Sequence, residues 1–578
     1  MSAIAAAGLV GLAACAAPSG QSTGGSTGGD NIGGAQSQVS DATAKGPAKE
    51  IPGAQKGGTI TVLEESTPDT FDPTNIYYVD GFQIGKLTYR TLTQFDIRGG
   101  KPVLVPDLAE DLGKASADGL TWTFKIKKGI KYQDGSEVKA QDIAYAVKRS
   151  FAHDIYDAGP TYQLDYFKDA DKYKGPYTSG DTYSGVETPD DNTLVIHLAK
   201  PFPDLPFFGA FTMFTPIPKG KDTKQNYDKS PMTTGPYMWQ SYTAGQELKL
   251  VKNPNWDAST DPVRHQYVDG FHFKWGGDAV TAQKQVLLGQ GQDATSMEVD
   301  AIDATVVPSV TPDKKSQLIT GESPCTIVEQ LDTRKIPLPV RKAIAMAYDW
   351  EGMNKVSGNT PISTQPASTI LPPAVPGYTK FELPNLNGKG KGDPAAAKAA
   401  LMAATGGKGF TLAWYYSNDS QTATKVSAFR QQMLEKAGFT VKPIGVPKAK
   451  LRSYTNKYDP APNPINMLWS PRGWCSDWPS GSSWFPVLFK SSSIPAKNSI
   501  GQLSDPALDQ KIDAISKLPI EEQPAKWGEL DKYILETYLP ALPFYYDKAA
   551  YLAGSKIGAA QNDPTQGLPI FTQLYVKQ

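Results

Sequence analysis

The sequence predicts an α/β protein with two or three domains. The chain has 578 residues, of which 39% are hydrophobic and 20% charged; this composition is typical of globular proteins, and the length is too great for one core. Residues 410–415 have a strand pattern, residues 426–437 a helical stripe, and residues 439–446 a second strand pattern. This strand-helix-strand order indicates an α/β domain with parallel strands.

The first predicted strand is at residues 59–63, where β-branched side chains alternate. Glu64, Glu65 and Ser66 follow it directly and precede a turn-rich stretch. In open α/β sheets, ligands bind just beyond the carboxyl ends of the strands. Glu65 and Ser66 are therefore candidate ligand contacts.

Residues 119–151 predict a hairpin followed by a helix. Residues 121–126 alternate as a strand, Gly129 marks a turn, and residues 130–132 are expected to pair back. The helix that follows has an apolar face made of Ile143, Ala146, Val147 and Phe151. Asp142 in its first turn suits the positive end of the helix dipole.

Two later segments also predict helices. After Pro337 and Pro339, one apolar stripe consists of Val340, Ala343, Ile344, Ala347 and Tyr348. Another helix should begin at Asp393-Pro394, a capping residue followed by an N1 proline, and end at Gly406.

Charge and motif content exclude several classes of function. Lys plus Arg number 58 and Asp plus Glu 59, so the net charge of −1 predicts no nucleic-acid partner. The four histidines, His153, His197, His265 and His272, do not cluster at metal-ligand spacing. Neither a phosphate-binding loop nor an H-E-x-x-H motif occurs. We therefore expect no metal, no cofactor and no catalysis.

The N-terminus predicts export and anchoring. Residues 3–14 are apolar but shorter than the roughly 20 residues that span a bilayer, and Cys15 follows them. Leu12-Ala-Ala-Cys15 resembles the bacterial lipoprotein box, which implies a signal peptide at 1–14 and a lipidated Cys15. The alternative is an apolar tail that carries an incidental cysteine.

Residues 15–57 have the composition of a flexible tether. They are rich in Gly, Ser, Thr, Gln and Ala, with few side chains to bury. A flexible segment of this length has a root-mean-square reach of about 35 Å. We expect it to hold the globular part away from a membrane surface.

Residues 472–478, Arg-Gly-Trp-Cys-Ser-Asp-Trp, are the strongest candidate for a binding element. Asp477 stands between Trp474 and Trp478, so we expect a partly dry aromatic surrounding. An ionised carboxylate there must find a cation or become neutral. A ligand ammonium group would supply the cation; the alternative is a solvated turn aspartate.

Several short segments keep the order found in one known family. They are Pro106-Asp-Leu-Ala-Glu, Asp118-Gly-Leu-Thr-Trp-Thr-Phe, Asp134-Gly-Ser, Thr234-Gly-Pro-Tyr-Met, Asn253-Pro-Asn-Trp and Pro540-Ala-Leu-Pro-Phe. In this order they resemble the extracytoplasmic solute-binding proteins of ABC importers for peptides and nickel. The resemblance covers about residues 58–578.

The resemblance implies a periplasmic-binding-protein-like fold of type II, in which two lobes close over the ligand by a hinge. We expect lobe one at 58–88, 232–324 and 547–578, and the opposing lobe at 325–546. An additional domain should be inserted at 89–231. The implied partners are a permease and an ATPase subunit, and the implied form is a monomer on the outer face of the cell membrane.

The resemblance also implies roles for residues near Asp477. Trp474-Cys-Ser-Asp477 matches the element whose aspartate anchors the amino terminus of a bound peptide. Gly473 and Ser476 would then offer backbone groups to an extended peptide, and Trp474 would form the wall of a side-chain pocket.

Three further residues are weaker candidates. Arg472 would pair with the peptide carboxylate, or is a surface arginine on a turn. Tyr545 and Tyr546 are candidate ligand contacts near the hinge, or plain core tyrosines.

Cys325 and Cys475 are expected to form a disulfide, since similar bridges occur among relatives and an exported protein lives where disulfides persist. A loop of 150 residues would lose roughly 4 to 5 kcal/mol of unfolded-chain entropy in the simple model. Two buried free thiols are the alternative.

We therefore expect a lipid-anchored receptor that captures short peptides for an ABC importer. One alternative keeps the fold and changes the cargo to a nickel chelate, a sugar or another small polar solute. A secreted hydrolase is the alternative of a different class, and it would need a nucleophile and a base together. A third is a sensory or chaperone receptor without a permease.

Overall fold

The computed structural model describes residues 39–578, apart from 385, 387, 448–450, 452–453, 455–463, 468–470 and 495–497. The predicted signal peptide, the predicted lipidation at Cys15 and the tether up to residue 38 lie outside the described residues. Within the described ranges, no helix combines the length and the apolar character needed to cross a membrane.

The described residues form strands that belong to several sheets. In chain order they are β1 (Val39–Ser40), β2 (Thr59–Glu64), β3 (Thr93–Arg98), β4 (Lys101–Pro106), β5 (Lys114–Ala115), β6 (Thr121–Lys125), β7 (Val186–Asp190), β8 (Thr193–His197), β9 (Tyr237–Thr243), β10 (Glu247–Lys252), β11 (Gly270–Trp275), β12 (Ser296–Glu298), β13 (Leu318–Gln330), β14 (Thr364–Pro366), β15 (Thr411–Ser417), β16 (Thr440–Val446), β17 (Arg472–Cys475), β18 (Ala541–Ala553), β19 (Ile557–Gly558), β20 (Asn562–Asp563), β21 (Leu568–Pro569) and β22 (Tyr575–Val576).

The α-helices lie between these strands. They are α1 (Val79–Thr88), α2 (Ala140–Arg149), α3 (Tyr162–Tyr166), α4 (Pro176–Ser179), α5 (Leu205–Phe208), α6 (Ala279–Leu288), α7 (Leu338–Ala347), α8 (Trp350–Ser357), α9 (Pro394–Thr405), α10 (Gln421–Lys436), α11 (Phe485–Phe489), α12 (Pro506–Ser516) and α13 (Gln523–Thr537). The names lobe one, additional domain and opposing lobe refer to the residue ranges predicted from the sequence, and their boundaries stay a prediction.

A nine-stranded mixed sheet is the largest sheet of the described residues. Its order is β17-β13-β18-β12-β2-β11-β10-β9, and β14 also pairs with β18. The predicted first strand is confirmed as β2, which lies between β12 and β11 and runs parallel to both. The carboxyl end of β2 therefore lies beside the ends of two other strands, where ligand contacts were expected.

Two 13-residue strands of this sheet, β13 and β18, run from one lobe into the other. Residues 318–322 of β13 pair with 548–552, and residues 326–330 pair with 541–546. Between these two stretches, the register shifts between Glu322 and Thr326. A register shift bends a strand and increases its local twist. The bend is close to the predicted boundary between lobe one and the opposing lobe.

The strand-helix-strand prediction in the opposing lobe is confirmed. β15 and β16 pair in parallel, and α10 connects them. Trp414 of β15 is fully buried, and its indole Nε1 donates to Ser427 of α10 at 3.0 Å. The helices predicted after Pro339 and Asp393 are α7 and α9.

The predicted hairpin in the additional domain is wrong in its second half. β6 covers residues 121–125, but residues 130–132 do not return beside it. β6 pairs instead with β8, from Thr121 opposite His197 to Lys125 opposite Thr193. Alternation of side chains predicts that β6 is a strand. It does not predict the partner, because β8 lies about 70 residues later in the chain and packs its buried side chains beside β6.

Residues 39–57, at the end of the predicted tether, make defined contacts that the prediction of a flexible segment did not include. β1 pairs in parallel with β4, and Asp41 N–H donates to Leu104 O at 2.8 Å. Farther on, Tyr267 Oη donates to Glu50 Oε2 at 2.8 Å and accepts from Ile51 N–H at 3.2 Å. Residues 39–57 have little to bury, but backbone hydrogen bonds hold them against the additional domain and lobe one.

Buried ion pairs join the additional domain to lobe one. Asp107 accepts from Arg90 at 2.7 Å and from Arg264 at 2.9 Å, and Asp261 contacts the same two arginines. All four side chains are at most 1% exposed. Burying charges is costly unless they are paired and hydrogen-bonded, as these are.

Removing one charge from this network should destabilise the protein strongly. We expect Asp107→Asn to lower the free energy of unfolding by about 3 to 5 kcal/mol, because it leaves two buried guanidinium groups with one carboxylate. The matched control is Asp96→Asn, since Asp96 pairs with the half-exposed Arg98 and should cost at most about 1 kcal/mol. Urea unfolding measures the midpoint of each variant. Equal midpoints for Asp107→Asn and Asp96→Asn would contradict the assignment of Asp107 to a stabilising network of buried ion pairs.

Candidate ligand-binding site

The predicted binding element begins as a short strand at the edge of the large sheet. β17 pairs antiparallel with β13, and Cys475 stands opposite Cys325. The structure joins these two cysteines in a disulfide, as the resemblance implied. The loop that follows β17 is thereby attached to one of the two strands that pass between the lobes.

Along β17, the backbone N–H and C=O groups of successive residues point alternately toward β13 and away from it. Ser476 N–H donates to Pro324 O at 2.9 Å, so these two residues occupy a hydrogen-bonded position of the antiparallel ladder, with one bond only because Pro324 has no N–H. Residues opposite each other alternate along such a ladder, so the N–H and C=O groups of Gly473 and Cys475 point away from β13. Among the described strands, none pairs with that side of β17.

This register corrects one part of the prediction. Gly473 has outward backbone groups, as an added peptide strand would require. The N–H of Ser476 is not available to a ligand, because it is already bonded to Pro324. The second residue with outward backbone groups is Cys475, which was predicted only as a disulfide partner.

The Ser476 hydroxyl makes hydrogen bonds within the loop that follows β17. It is buried, donates to Trp478 O at 3.0 Å and accepts from Trp484 Nε1 at 2.7 Å. It also lies 3.2 Å from the hydroxyl of Ser483. Ser476 therefore shapes the turn that presents Asp477, and its contacts lie within the loop.

Trp474 and Arg472 contact the opposing lobe itself. Trp474 is half-buried, packs against a core cluster of that lobe and donates from Nε1 to Ser483 O at 3.2 Å. Arg472 is also half-buried, and its Nη1 donates to Ser499 O at 3.2 Å. Both keep part of their surface accessible, and their roles toward a ligand stay predictions.

Asp477 is held by two tyrosines from outside the opposing lobe. Tyr77, before α1, donates its hydroxyl to Asp477 Oδ2 at 2.9 Å, and Tyr162 of α3 donates to the same oxygen. Withdrawal from water raises the pKa of Asp477 to about 7, although both hydrogen bonds act to lower it. Its partial burial argues against the alternative of a solvated turn aspartate.

No cation of the described residues offsets this charge. The groups that act on Asp477 are the two tyrosine hydroxyls, and neither a lysine nor an arginine is among them. A partly buried carboxylate with a raised pKa and a second oxygen that accepts no hydrogen bond from the described chain suits a cationic group brought by a ligand.

Sequence reasoning missed both tyrosines. Tyr77 follows a turn-rich stretch after β2, which is the one local signal that could have drawn attention to it. Tyr162 lies in a short helix 315 residues before Asp477, and nothing in its neighbourhood points to that contact.

Trp478 does not form a wall beside Asp477 as the sequence suggested. It is 1% exposed and belongs to the hydrophobic cluster of the additional domain, so it leaves no open surface for a ligand. Residues 477–480 form a bend, and Tyr162 contacts both side chains: its hydroxyl donates to Asp477, and its ring lies 4.6 Å from the indole of Trp478.

Glu65 and Ser66 are exposed at the end of β2. Glu65 N–H donates to Asp300 Oδ2 at 2.8 Å, so its backbone is committed to the protein. The neighbouring Glu64 accepts from Trp275 Nε1 at 3.2 Å, and burial near Asp80 and Asp300 raises its pKa to about 8. The side chains of Glu65 and Ser66 stay candidate contacts.

Tyr545 and Tyr546 differ in their exposure. Tyr545 is half-buried and packs on Phe544, with 4.7 Å between ring centroids. Tyr546 is 2% exposed, and its hydroxyl accepts from the N–H groups of Ser368 and Thr369. These contacts match the alternative that Tyr546 is a core tyrosine, and they leave little of its surface accessible to a ligand.

A metal centre finds no support in the described part of the chain. No group of three or more His, Cys, Asp or Glu side chains there is placed to hold a metal ion.

A partly buried carboxylate next to an unpaired strand edge, and two long strands that pass between the lobes, are features of a solute-binding protein. A family model described as bacterial extracellular solute-binding proteins, family 5 Middle, matches residues 103–495, more than half of the chain. The chain therefore belongs to family 5 of the bacterial extracellular solute-binding proteins.

Relatives and solved structures agree with this family. The probable D,D-dipeptide-binding periplasmic protein DdpA of Escherichia coli (strain K12) is 25% identical over 418 residues, 69% of this chain and 72% of that protein. The solved structure of clavulanic acid biosynthesis oligopeptide binding protein 2 has a TM-score of 0.82 at 24% identity, over 93% of this chain and 99% of its own.

A third likeness is to the periplasmic binding protein DppA from Helicobacter pylori, solved in complex with the peptide STSA. It has a TM-score of 0.70 at 19% identity, over 91% of this chain and 99% of that chain. These likenesses confirm the predicted fold class, a two-lobed α/β binding protein.

Proposed function

We propose that this protein captures short peptides with a free amino terminus and passes them to an ABC importer. The observation that carries the proposal is Asp477, a partly buried carboxylate that two tyrosines orient and that no cation of the described chain neutralises. The ammonium group of a peptide supplies the missing positive charge, and its N–H groups donate hydrogen bonds to Oδ1 of Asp477.

The open edge of β17 supports an extended ligand. Gly473 and Cys475 present N–H and C=O groups there, next to Asp477. A peptide that adds to this edge gains main-chain hydrogen bonds without reading its side chains. The names of the relatives, which include D,D-dipeptide-binding and oligopeptide-binding proteins, point to the same class of cargo.

The bend in β13 and β18 supports hinge closure at the predicted boundary between lobe one and the opposing lobe. Tyr77 and Tyr162 contact Asp477 from the other side of that boundary, so the anchor is complete only when the lobes meet. Export by the signal peptide, lipidation at Cys15 and delivery to a permease and an ATPase subunit are part of the same proposal.

Native mass spectrometry of the purified protein, followed by denaturation and sequencing of released solutes, tests the cargo. We expect peptides with unmodified amino termini, and their lengths would give the size of the cleft. A nickel complex, a sugar or another single non-peptide mass would overturn the peptide assignment, and turnover of added peptides would instead indicate a hydrolase.

Asp477→Asn should weaken peptide binding. The amide keeps the size and the hydrogen bonds from the tyrosines but loses the charge that the ammonium group needs, which costs about 3 kcal/mol or more, or roughly a hundredfold in Kd. Isothermal titration calorimetry with one peptide measures the change. Glu435→Gln, a neutralisation at an exposed site of the opposing lobe, is the matched control and should bind as the wild type does.

Peptide affinity should also depend on pH. Because the Asp477 carboxyl has a raised pKa of about 7 without a ligand and must be ionised to hold an ammonium group, protonation competes with binding below that pH. We expect Kd to rise about tenfold per pH unit between about pH 7 and pH 5. Asp477→Asn should remove this slope; a wild-type Kd that stays constant over the range would contradict the anchor.

A further inference from the structure

The loop after Asp477 inserts one side chain into the additional domain. A hydrophobic cluster there draws its buried members from residues 92–232, with Trp478 as an exception from the opposing lobe. The indole of Trp478 lies 4.6 Å from the ring of Tyr162. Three more rings surround it at centroid distances of 6.0 to 6.3 Å: Phe202, Phe208 and Phe211. We call these four rings the aromatic socket.

Hydrogen bonds fix the direction of the inserted indole. Trp478 Nε1 donates to Asp204 Oδ1 at 3.2 Å and to Ser482 Oγ at 3.0 Å. Asp204 belongs to the additional domain and is 2% exposed, and Ser480 also hydrogen-bonds to it. A buried tryptophan usually finds a partner for its N–H group, and here the partners come from both sides of the interface.

Further contacts widen this interface. Val487 of α11 and Ile520 pack against the same cluster from the opposing lobe. The interface therefore combines apolar contacts with the Asp204 hydrogen bonds, as stable protein contacts do.

Buried ion pairs tie the domain that holds the aromatic socket to lobe one. The buried ion pairs of Asp107 and Asp261 with Arg90 and Arg264 join the additional domain to lobe one, and Arg149 of α2 pairs with Asp72 of the segment after β2 at 2.5 Å. Trp478 belongs to the opposing lobe. Opening of the cleft must therefore withdraw the indole from the socket.

We propose that Trp478 and the aromatic socket form a latch that holds the two lobes closed without help from the ligand. The indole is buried by protein side chains alone, so the latch stabilises the closed form whether or not the cleft is filled. It raises the closed fraction of the ligand-free protein and slows ligand release, because both opening and release require the indole to leave the socket. The proposal does not depend on the chemistry of the cargo.

The test measures lobe separation in the absence of ligand. Spin labels enter as unnatural amino acids at Lys274 of lobe one and Lys436 of the opposing lobe, both exposed, and unfolding with refolding removes any co-purified solute. Double electron–electron resonance then gives the distance distribution. In the wild type we expect the short, closed distance to dominate.

Trp478→Ala should shift most of the population to a longer distance and speed ligand release at least tenfold, with Trp478→Phe between it and the wild type. Circular dichroism and thermal melting check that each variant is folded. A folded Trp478→Ala variant with the wild-type distance distribution, or a wild type that is already open without ligand, would overturn the latch.

Two further variants keep the test decisive. If Trp478→Ala does not fold, Asp204→Ala removes the hydrogen bond from the socket side and should shift the same distance in the same direction, and no shift counts against the latch. Asp477→Asn should lower peptide affinity but leave the ligand-free distance unchanged. Failure of the peptide proposal and failure of the latch therefore give different results.

Discussion

The pairing of β13 with β18 is the constraint on which the rest of the molecule depends. These two strands belong to both lobes at once, and the register shift near Glu322 separates their two paired stretches. The disulfide from Cys325 to Cys475 attaches β17 to the same pair. The position of the Asp477 loop is therefore set relative to the register shift, and in the proposed hinge closure a small rotation there would carry Asp477 toward or away from Tyr77 and Tyr162.

Four carboxylates withdrawn from water in this protein have two kinds of electrostatic surroundings. Asp107 and Asp261 lie between arginines, which hold the pKa of Asp261 well below its usual range. Asp204 and Asp477 have hydroxyl and indole donors instead, and burial raises their pKa values to about 6 and about 7. Among these four, the ion-paired carboxylates connect the additional domain to lobe one, and the two with neutral donors lie where the opposing lobe contacts the other parts of the chain.

Local patterns in the sequence predicted local structure well. Alternation placed β2, and apolar periodicity with caps placed α7 and α9, because these signals depend on neighbours in the chain. The Trp-Cys-Ser-Asp477 element and the cysteine pair came from a family resemblance. The contacts that complete the site did not, since Tyr162 and Asp204 reach the 477–482 segment across hundreds of residues. Residues 39–57 were misjudged because backbone pairing, which composition does not reveal, keeps them in place.

The outward groups of Gly473 and Cys475 also bear on solubility. An unpaired strand edge can accept a strand from another molecule as readily as from a ligand, which is a common route to aggregation. Here the edge is four residues long, carries a half-buried tryptophan and ends in a disulfide. So short a template offers few hydrogen bonds to a second copy, whereas a peptide that also meets Asp477 gains an ionic contact that an internal strand of another copy lacks. The short length of β17 therefore limits self-association and still leaves room for the proposed peptide contact.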